Sequence, residues 1–153
     1  MPKKPSSSEA LVKARAYCAR QERCQQEVRD KLYSWGEHKT QVEAIIAQLI
    51  SERFLNEARF AEHFAVSKFR QKGWGRRKIE QAMKQKQVSV PCIALGLKAI
   101  EDDEYVIALN KAVAKRWEKV KEVNAFIKRQ KVMRYFIGRG YAVEQVEKAL
   151  EDV

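Results

Sequence analysis

Proline and glycine are scarce in this chain, 3 and 6 among 153 residues. Few breakers leave room for long helices, and Ala, Lys, Glu, Gln, Arg and Leu, all strong helix formers, are abundant. Strand-length alternation of apolar and polar residues is missing too. Its nearest approach, Gln87-Val88-Ser89-Val90, is short and ends at Pro91. No apolar run approaches the ~20 residues of a membrane span. The opening Met1-Pro2-Lys3-Lys4-Pro5-Ser6-Ser7-Ser8 lacks the apolar core of a secretory signal. The expectation is a cytoplasmic protein that meets no membrane.

Chemistry-bearing motifs are equally thin. Cys18, Cys24 and Cys92 are odd in number and match no metal or redox spacing, so reduced, buried thiols are expected. The two histidines, His38 and His63, sit in no HExxH or Cys-His arrangement. Gly73-Trp74-Gly75 is too short for a phosphate-cradling loop and follows a helix rather than a strand. Glu101-Asp102-Asp103-Glu104 lacks the glycine and alternation of a calcium loop and reads as a helix end followed by a cap. These absences point away from an enzyme, a cofactor and a metal.

What the chain does have is positive charge. The net charge is +11, with 33% charged and 45% hydrophobic residues. That is enough apolar material for a core and implies a polyanionic partner or an acidic protein surface.

The apolar positions recur with helical period. Ser8-Glu9, Asn56-Glu57 and Asp103-Glu104 each open a long amphipathic helix, 48 and then 47 residues apart. Phe60, Ala61, Phe64, Ala65 and Phe69 form the stripe of the middle one; Val106, Leu109, Val113, Trp117 and Val120 form that of the last. Second helices align at Val28/Leu32, Ile79/Met83 and Val132/Phe136. Third helices run from Val42 to Ile50, Ile93 to Ile100 and Val143 to Leu150, with Thr40 placed to cap the first of these. The predicted organisation is all-α: a disordered tail over residues 1–7 and three-helix repeats over 8–55, 56–102 and 103–153. A unit of about 50 residues has a marginal core alone, so neighbours are expected to share apolar surface.

The cations cluster. From Lys68 to Lys78 six of eleven residues are basic (Lys68, Arg70, Lys72, Arg76, Arg77, Lys78) and none is acidic, with Trp74 between two glycines. The third repeat carries Lys111, Lys115, Arg116 and Lys119, then Lys128, Arg129, Lys131 and Arg134. A solvated helix face usually intersperses acids at i,i+4; the run from Lys68 to Lys78 does not, and residues 111–139 set ten cations against Glu118 and Glu122 alone. The cations named above are therefore the candidate binding residues, together with Trp74, which can stack on a base or a partner side chain. A helix-turn-helix DNA module is the alternative, with Pro91 to Ile100 as its reading helix. That helix carries almost nothing to read base edges, so any DNA affinity is expected to be weak, backbone-directed and without sequence specificity, for single and double strands alike.

Four segments carry a family resemblance. Phe54-Leu55-Asn56-Glu57-Ala58-Arg59-Phe60-Ala61, then Lys72-Gly73-Trp74-Gly75-Arg76-Arg77-Lys78-Ile79 with Lys86-Gln87-Val88-Ser89, resemble the core signature of RecX, a bacterial regulator of the RecA recombinase. Lys131-Val132-Met133-Arg134-Tyr135-Phe136-Ile137-Gly138-Arg139-Gly140-Tyr141 resembles that family's C-terminal signature. The likeness implies an elongated, curved right-handed array of three three-helix repeats, monomeric, lying in the groove of the RecA–DNA filament. It further implies a protein that mostly inhibits RecA's ATPase, strand-exchange and coprotease activities in recombination, repair and the SOS response. The chain departs from the pattern at Gln87, where Gly is frequent, and at Cys24, where a Ser cap is common. Both departures suggest less sharply defined helix ends.

Overall fold

Residues 7–153 are described by the structure, a computed structural model, and among them lie nine α-helices and no strand. The helices are α1 (Ser7–Arg20), α2 (Gln25–Ser34) and α3 (Lys39–Ser51); α4 (Glu57–Lys72), α5 (Arg76–Gln85) and α6 (Val90–Lys98); α7 (Asp102–Lys119), α8 (Ala125–Gly138) and α9 (Val143–Leu150). The all-α fold of repeated helix triplets is as expected. The tail expected over residues 1–7 lies outside the described residues except for Ser7.

The ends of α2, α5 and α8 show the repeat most clearly. Each is followed by a residue in the left-handed region: Gly36 (φ 87°), Gln87 (φ 59°) and Gly140 (φ 102°). The amide of the next residue reaches back across the turn, from Glu37 to Leu32, Val88 to Met83 and Tyr141 to Phe136. This is the Schellman arrangement, which satisfies carbonyls a helix end leaves free. The end at Gln87 is thus as sharply stopped as its glycine counterparts, the helix accepting a strained residue to keep the bond pattern. Val88 and Tyr141 bury an apolar side chain at the next position, whereas Glu37 is buried there with neither carboxylate oxygen hydrogen-bonded.

Helix starts hold in part. The Asn56 carboxamide accepts the Arg59 amide at 2.9 Å, an N-cap bond. Cys24 holds the N-cap place of α2, and the Glu27 carboxylate accepts its amide at 3.0 Å, so this start is well defined without a Ser. Burial pushes the Cys24 thiol up to about 12, which leaves it a small apolar group. Thr40 caps nothing: α3 begins at Lys39 behind His38, and α7 begins at Asp102 behind Glu101 rather than at Asp103.

The chain forms two compact units. One holds the described residues up to His63 with Met83–Gly96; the other holds Phe64–Ala82 with Leu97–Val153. The boundary cuts through α4, α5 and α6. In the first unit Ala10, Ala14 and Cys18 of α1, Val28 and Leu32 of α2, and Val42, Ile45, Ile46 and Leu49 of α3 form one apolar cluster, closed by Leu55. Arg15, Arg29 and Arg59 are ion-paired there with Glu52, Glu43 and Glu22. Gly96 of α6 lies so close to Ala61 of α4 that a Cβ would stand 2.6 Å from the Ala61 carbonyl oxygen.

In the second unit α7, α8 and α9 pack on one another, burying Leu109, Val113, Val132, Phe136, Val146, Ala149 and Leu150. The stripe expected on α7 is corrected at its start. Val106 is exposed and Tyr105 is buried instead, one helical step round. Tyr105 brings more apolar surface than valine, and its ring lies 5.4 Å from Phe69 and 5.2 Å from Tyr141. Trp117 and Val120 are half-buried rather than core.

Candidate functional site

All fifteen candidate residues fall in the second unit. It holds 18 Lys and Arg against 11 Asp and Glu, and thus seven of the eleven net charges. The structure sorts those cations into two groups.

The first group surrounds the turn between α4 and α5. Gly73 ends α4 at φ 68°, and α5 restarts at Arg76. This turn is locked to the end of α8 by backbone bonds: the Gly75 amide donates to the Arg139 carbonyl at 2.8 Å and the Arg77 amide to the Gly140 carbonyl at 3.0 Å. The approach admits no side chain. A Cβ on Gly75 would lie 2.4 Å from the Gly140 carbonyl, and one on Gly140 would lie 2.5 Å from Lys78. Tyr141 adds a bond from its hydroxyl to the Gly73 carbonyl at 3.1 Å. Burial, helped by the neighbouring Tyr105, pushes that phenol up to about 12. The two glycine-bearing signatures, far apart in sequence, are therefore halves of one packed joint.

Several elbow cations serve this joint. The Arg76 guanidinium donates to the Ile100 carbonyl at 2.9 Å and the Asp102 carboxylate at 2.7 Å, and lies 4.3 Å over the Tyr105 ring. Its backbone amide donates to the Tyr105 hydroxyl at 3.0 Å. Arg70 forms a two-pronged pair with Glu104 at 2.8 and 3.0 Å. Its donated bonds hold that carboxyl below the usual carboxylate range. Lys68 and Lys78 lie over the Trp74 ring at 5.1 and 4.7 Å, so the half-buried indole is already engaged by two cations. Lys72 and Arg77 are exposed, with no side-chain partner among the described residues.

The second group lines a cavity of about 230 Å³ on α7 and α8. Lys115, Arg116 and Lys119 enter from α7 and Arg139 from the end of α8; Ala112, Tyr135, Phe136 and Gly73 complete the wall, and no carboxylate lines it. The Arg116 guanidinium lies 3.9 Å from the Tyr135 ring, with Arg139 5.8 Å from that ring. Arg139 also donates to the Lys72 carbonyl. The Arg116 Nε is buried and has no hydrogen-bond acceptor. Lys115 and Lys119 are exposed at the rim without an acidic partner. The pocket thus presents four cations and one orphaned buried donor with no acid to balance them, an arrangement whose charge an anion would complement.

Other candidates scatter. Lys111 shares the α7 face of Lys115 and Lys119 but does not line the cavity. Lys128 lies 4.5 Å over Trp117. Lys131 pairs with Glu122 at 3.1 Å. Arg129 and Arg134 have no side-chain partner among the described residues. Arg139 and Tyr135 were not among the expected site residues. Their signal was present at the end of the third basic run, where Tyr135 stands four residues before Arg139, at helical spacing.

Comparison with known proteins adds an independent finding. Two family models match the chain, the second three-helix domain of RecX over residues 56–97 and the third over residues 102–150. Every candidate residue lies within them. A relative from Vibrio campbellii named regulatory protein RecX is 29% identical over 147 residues, covering 95% of this chain and 90% of the relative. One of the same name from Clostridium tetani is 28% identical over 128 residues, covering 82% of this chain but 58% of the relative. The crystal structure of RecX from Lactobacillus salivarius matches the fold with a TM-score of 0.87 at 20% identity, over 95% of each chain.

Proposed function

The chain belongs to the RecX family, and on that premise we propose that it modulates the RecA recombinase by binding the groove of the RecA–DNA filament. In this reading it acts in the cytoplasm as a monomer, bridges successive RecA protomers and lowers RecA's ATPase, strand-exchange and coprotease activities. It needs no cofactor and carries out no catalysis of its own.

One observation carries the reading: cations without acidic partners gather on the second unit, at Lys72, Arg77, Lys111, Lys115, Lys119, Arg129 and Arg134. A filament groove offers phosphates and acidic side chains together, and unpaired surface cations suit both. The helix-turn-helix alternative gains little, because α6 turns Val90 and Leu95 to solvent, side chains with no hydrogen-bonding group for base edges.

The experiment is a RecA ATPase assay on single-stranded DNA, paired with capture of RecA on the immobilised protein with and without DNA. A fall in ATPase rate together with capture of the filament is the expected result. Equal binding to DNA in the absence of RecA, with the ATPase untouched, would replace this reading with the DNA-module one.

A further inference from the structure

We propose that the cavity on α7 and α8 is a phosphate-binding site, with the Arg116 guanidinium as the group that recognises the ligand. The inference goes beyond the regulator reading: it stands on the pocket's own geometry and holds or fails whichever protein the chain engages.

Four cations share one small space with no carboxylate among them. Each raises the electrostatic cost of the others until an anion enters. Arg139 is partly committed, because it donates to the Lys72 carbonyl. Arg116 is not. Stacking on Tyr135 at 3.9 Å restrains the guanidinium, so less freedom is lost when a ligand arrives, and its Nε sits buried without an acceptor. Lys115 and Lys119, one turn apart on α7, add two exposed ammonium groups to the lining.

The ligand class follows from shape and charge. A carboxylate brings two oxygens in a plane, too few to engage donors converging from two helices. A phosphate presents oxygens tetrahedrally and suits a planar guanidinium plus ammonium groups. The cavity's 230 Å³ equals the share of roughly seven or eight liquid waters. That is less than the ~300 Å³ at which pockets for drug-sized molecules begin. It fits a phosphate group rather than a whole organic molecule. The group comes either from the phosphodiester of a nucleic-acid strand or from a free nucleotide.

The test uses the full chain and follows backbone amide shifts during titration with inorganic pyrophosphate. Saturable shifts at Gly73, Ala112 and Phe136 are expected. Lys115→Gln combined with Lys119→Gln should weaken binding about tenfold or more, as should Arg116→Lys, each removing charge-assisted bonds. Lys98→Gln combined with Lys148→Gln, exposed cations of the same unit outside the pocket, should leave it unchanged. A labelled oligo-dT displaced by pyrophosphate, and weakened by the pocket variant alone, identifies a strand phosphodiester as the source. A nucleoside triphosphate that saturates the site while the oligomer does not compete identifies a free nucleotide. Shifts that do not saturate, or a pocket variant that binds like the parent, overturn the proposal. So does a poly-glutamate peptide that moves the same amides at lower concentration than pyrophosphate, since the site would then read protein carboxylates.

Discussion

The elbow between α4 and α5 and the pocket on α7 and α8 look alike in sequence, both basic, both aromatic-bearing, both low in acid. In the structure they differ in where their charges are used. Arg76 and Arg70 at the elbow spend their guanidiniums on Asp102, Ile100 and Glu104, and Lys68 and Lys78 lie over Trp74. At the pocket, Lys115, Arg116 and Lys119 have no acidic partner. A run of cations without local acids is thus no measure of free charge, because the acids can arrive from another helix. Most of the elbow's charge is used within the fold, Lys72 and Arg77 excepted; the charge of Lys115, Arg116 and Lys119 is not.

The sharpest break of that contrast is Gly75→Ala. The added Cβ would meet the Gly140 backbone at 2.4 Å, and backbone on both sides cannot yield as a flexible side chain does. A loss of about 3 kcal/mol is expected, at the upper end of overpacking costs. Gly138→Ala is the control, since nothing stands within 4 Å of its Cβ and it lies in helix. It should be neutral or stabilise by up to about 1 kcal/mol. Urea midpoints of the two variants against the parent decide it; equal midpoints would dissolve the joint.

Next in size is Arg76→Met. It keeps much of the apolar stem but loses two donated bonds and the stack on Tyr105. A cost of roughly 1.5 to 3 kcal/mol follows for bonds to a charged group. Since the same change leaves the pocket intact, pyrophosphate binding should persist under conditions where the variant is folded.

Smaller again is the pH dependence of the Arg70–Glu104 pair. The bonds Arg70 donates hold the folded-state pKa of Glu104 below its ordinary value of 4.5. A depressed carboxyl adds stability above the unfolded-state pKa and loses it as pH falls through the folded one. Stability should therefore drop below the ordinary carboxylate range, and Arg70→Gln should lose less on the same acid titration. Identical acid profiles for parent and variant would show the pair to be idle.

Much of this was legible from residues alone. The triplet repeat could be read from the i,i+4 pairs of the second helices, because burial of one helix face imposes that period regardless of the neighbours. Asn56 could be read as a cap because its bond to the Arg59 amide is local. Tyr105 could not be told from Val106, since both fit an apolar stripe and the choice is made by Phe69 and Tyr141 across the unit. The contact of Gly75 with Gly140 was hidden for the same reason. Two Gly-x-Gly pairs were visible, but nothing in a linear reading says that they touch. The division of cations into used and unused was equally closed, even though the acids that claim Arg76 and Arg70 stood in plain view at Asp102 and Glu104. Their place at the start of α7 gives them a local role, which hides the distant one.

The smallest expected effect is on the stability of the pocket variant itself. Replacing Lys115 and Lys119 by Gln removes two charges from a crowded cluster, which relieves repulsion with Arg116 and Arg139. It also removes cations near the C-terminal end of α7, where Lys119 lies in the last turn and favours the helix dipole. The two effects oppose each other, so the unfolding free energy from urea titration in chloride buffer should move by no more than about 0.5 kcal/mol, the range of ordinary surface changes. Exchanging chloride for phosphate at constant ionic strength separates the regions cleanly. An anion that binds only the folded pocket stabilises the parent by mass action, and screening at the elbow is the same in both buffers. The parent should therefore gain stability in phosphate, Arg76→Met should gain as much, and the double lysine variant should gain little. Equal gains in all three would mean that phosphate acts as a general salt and that the pocket is no more selective than the elbow.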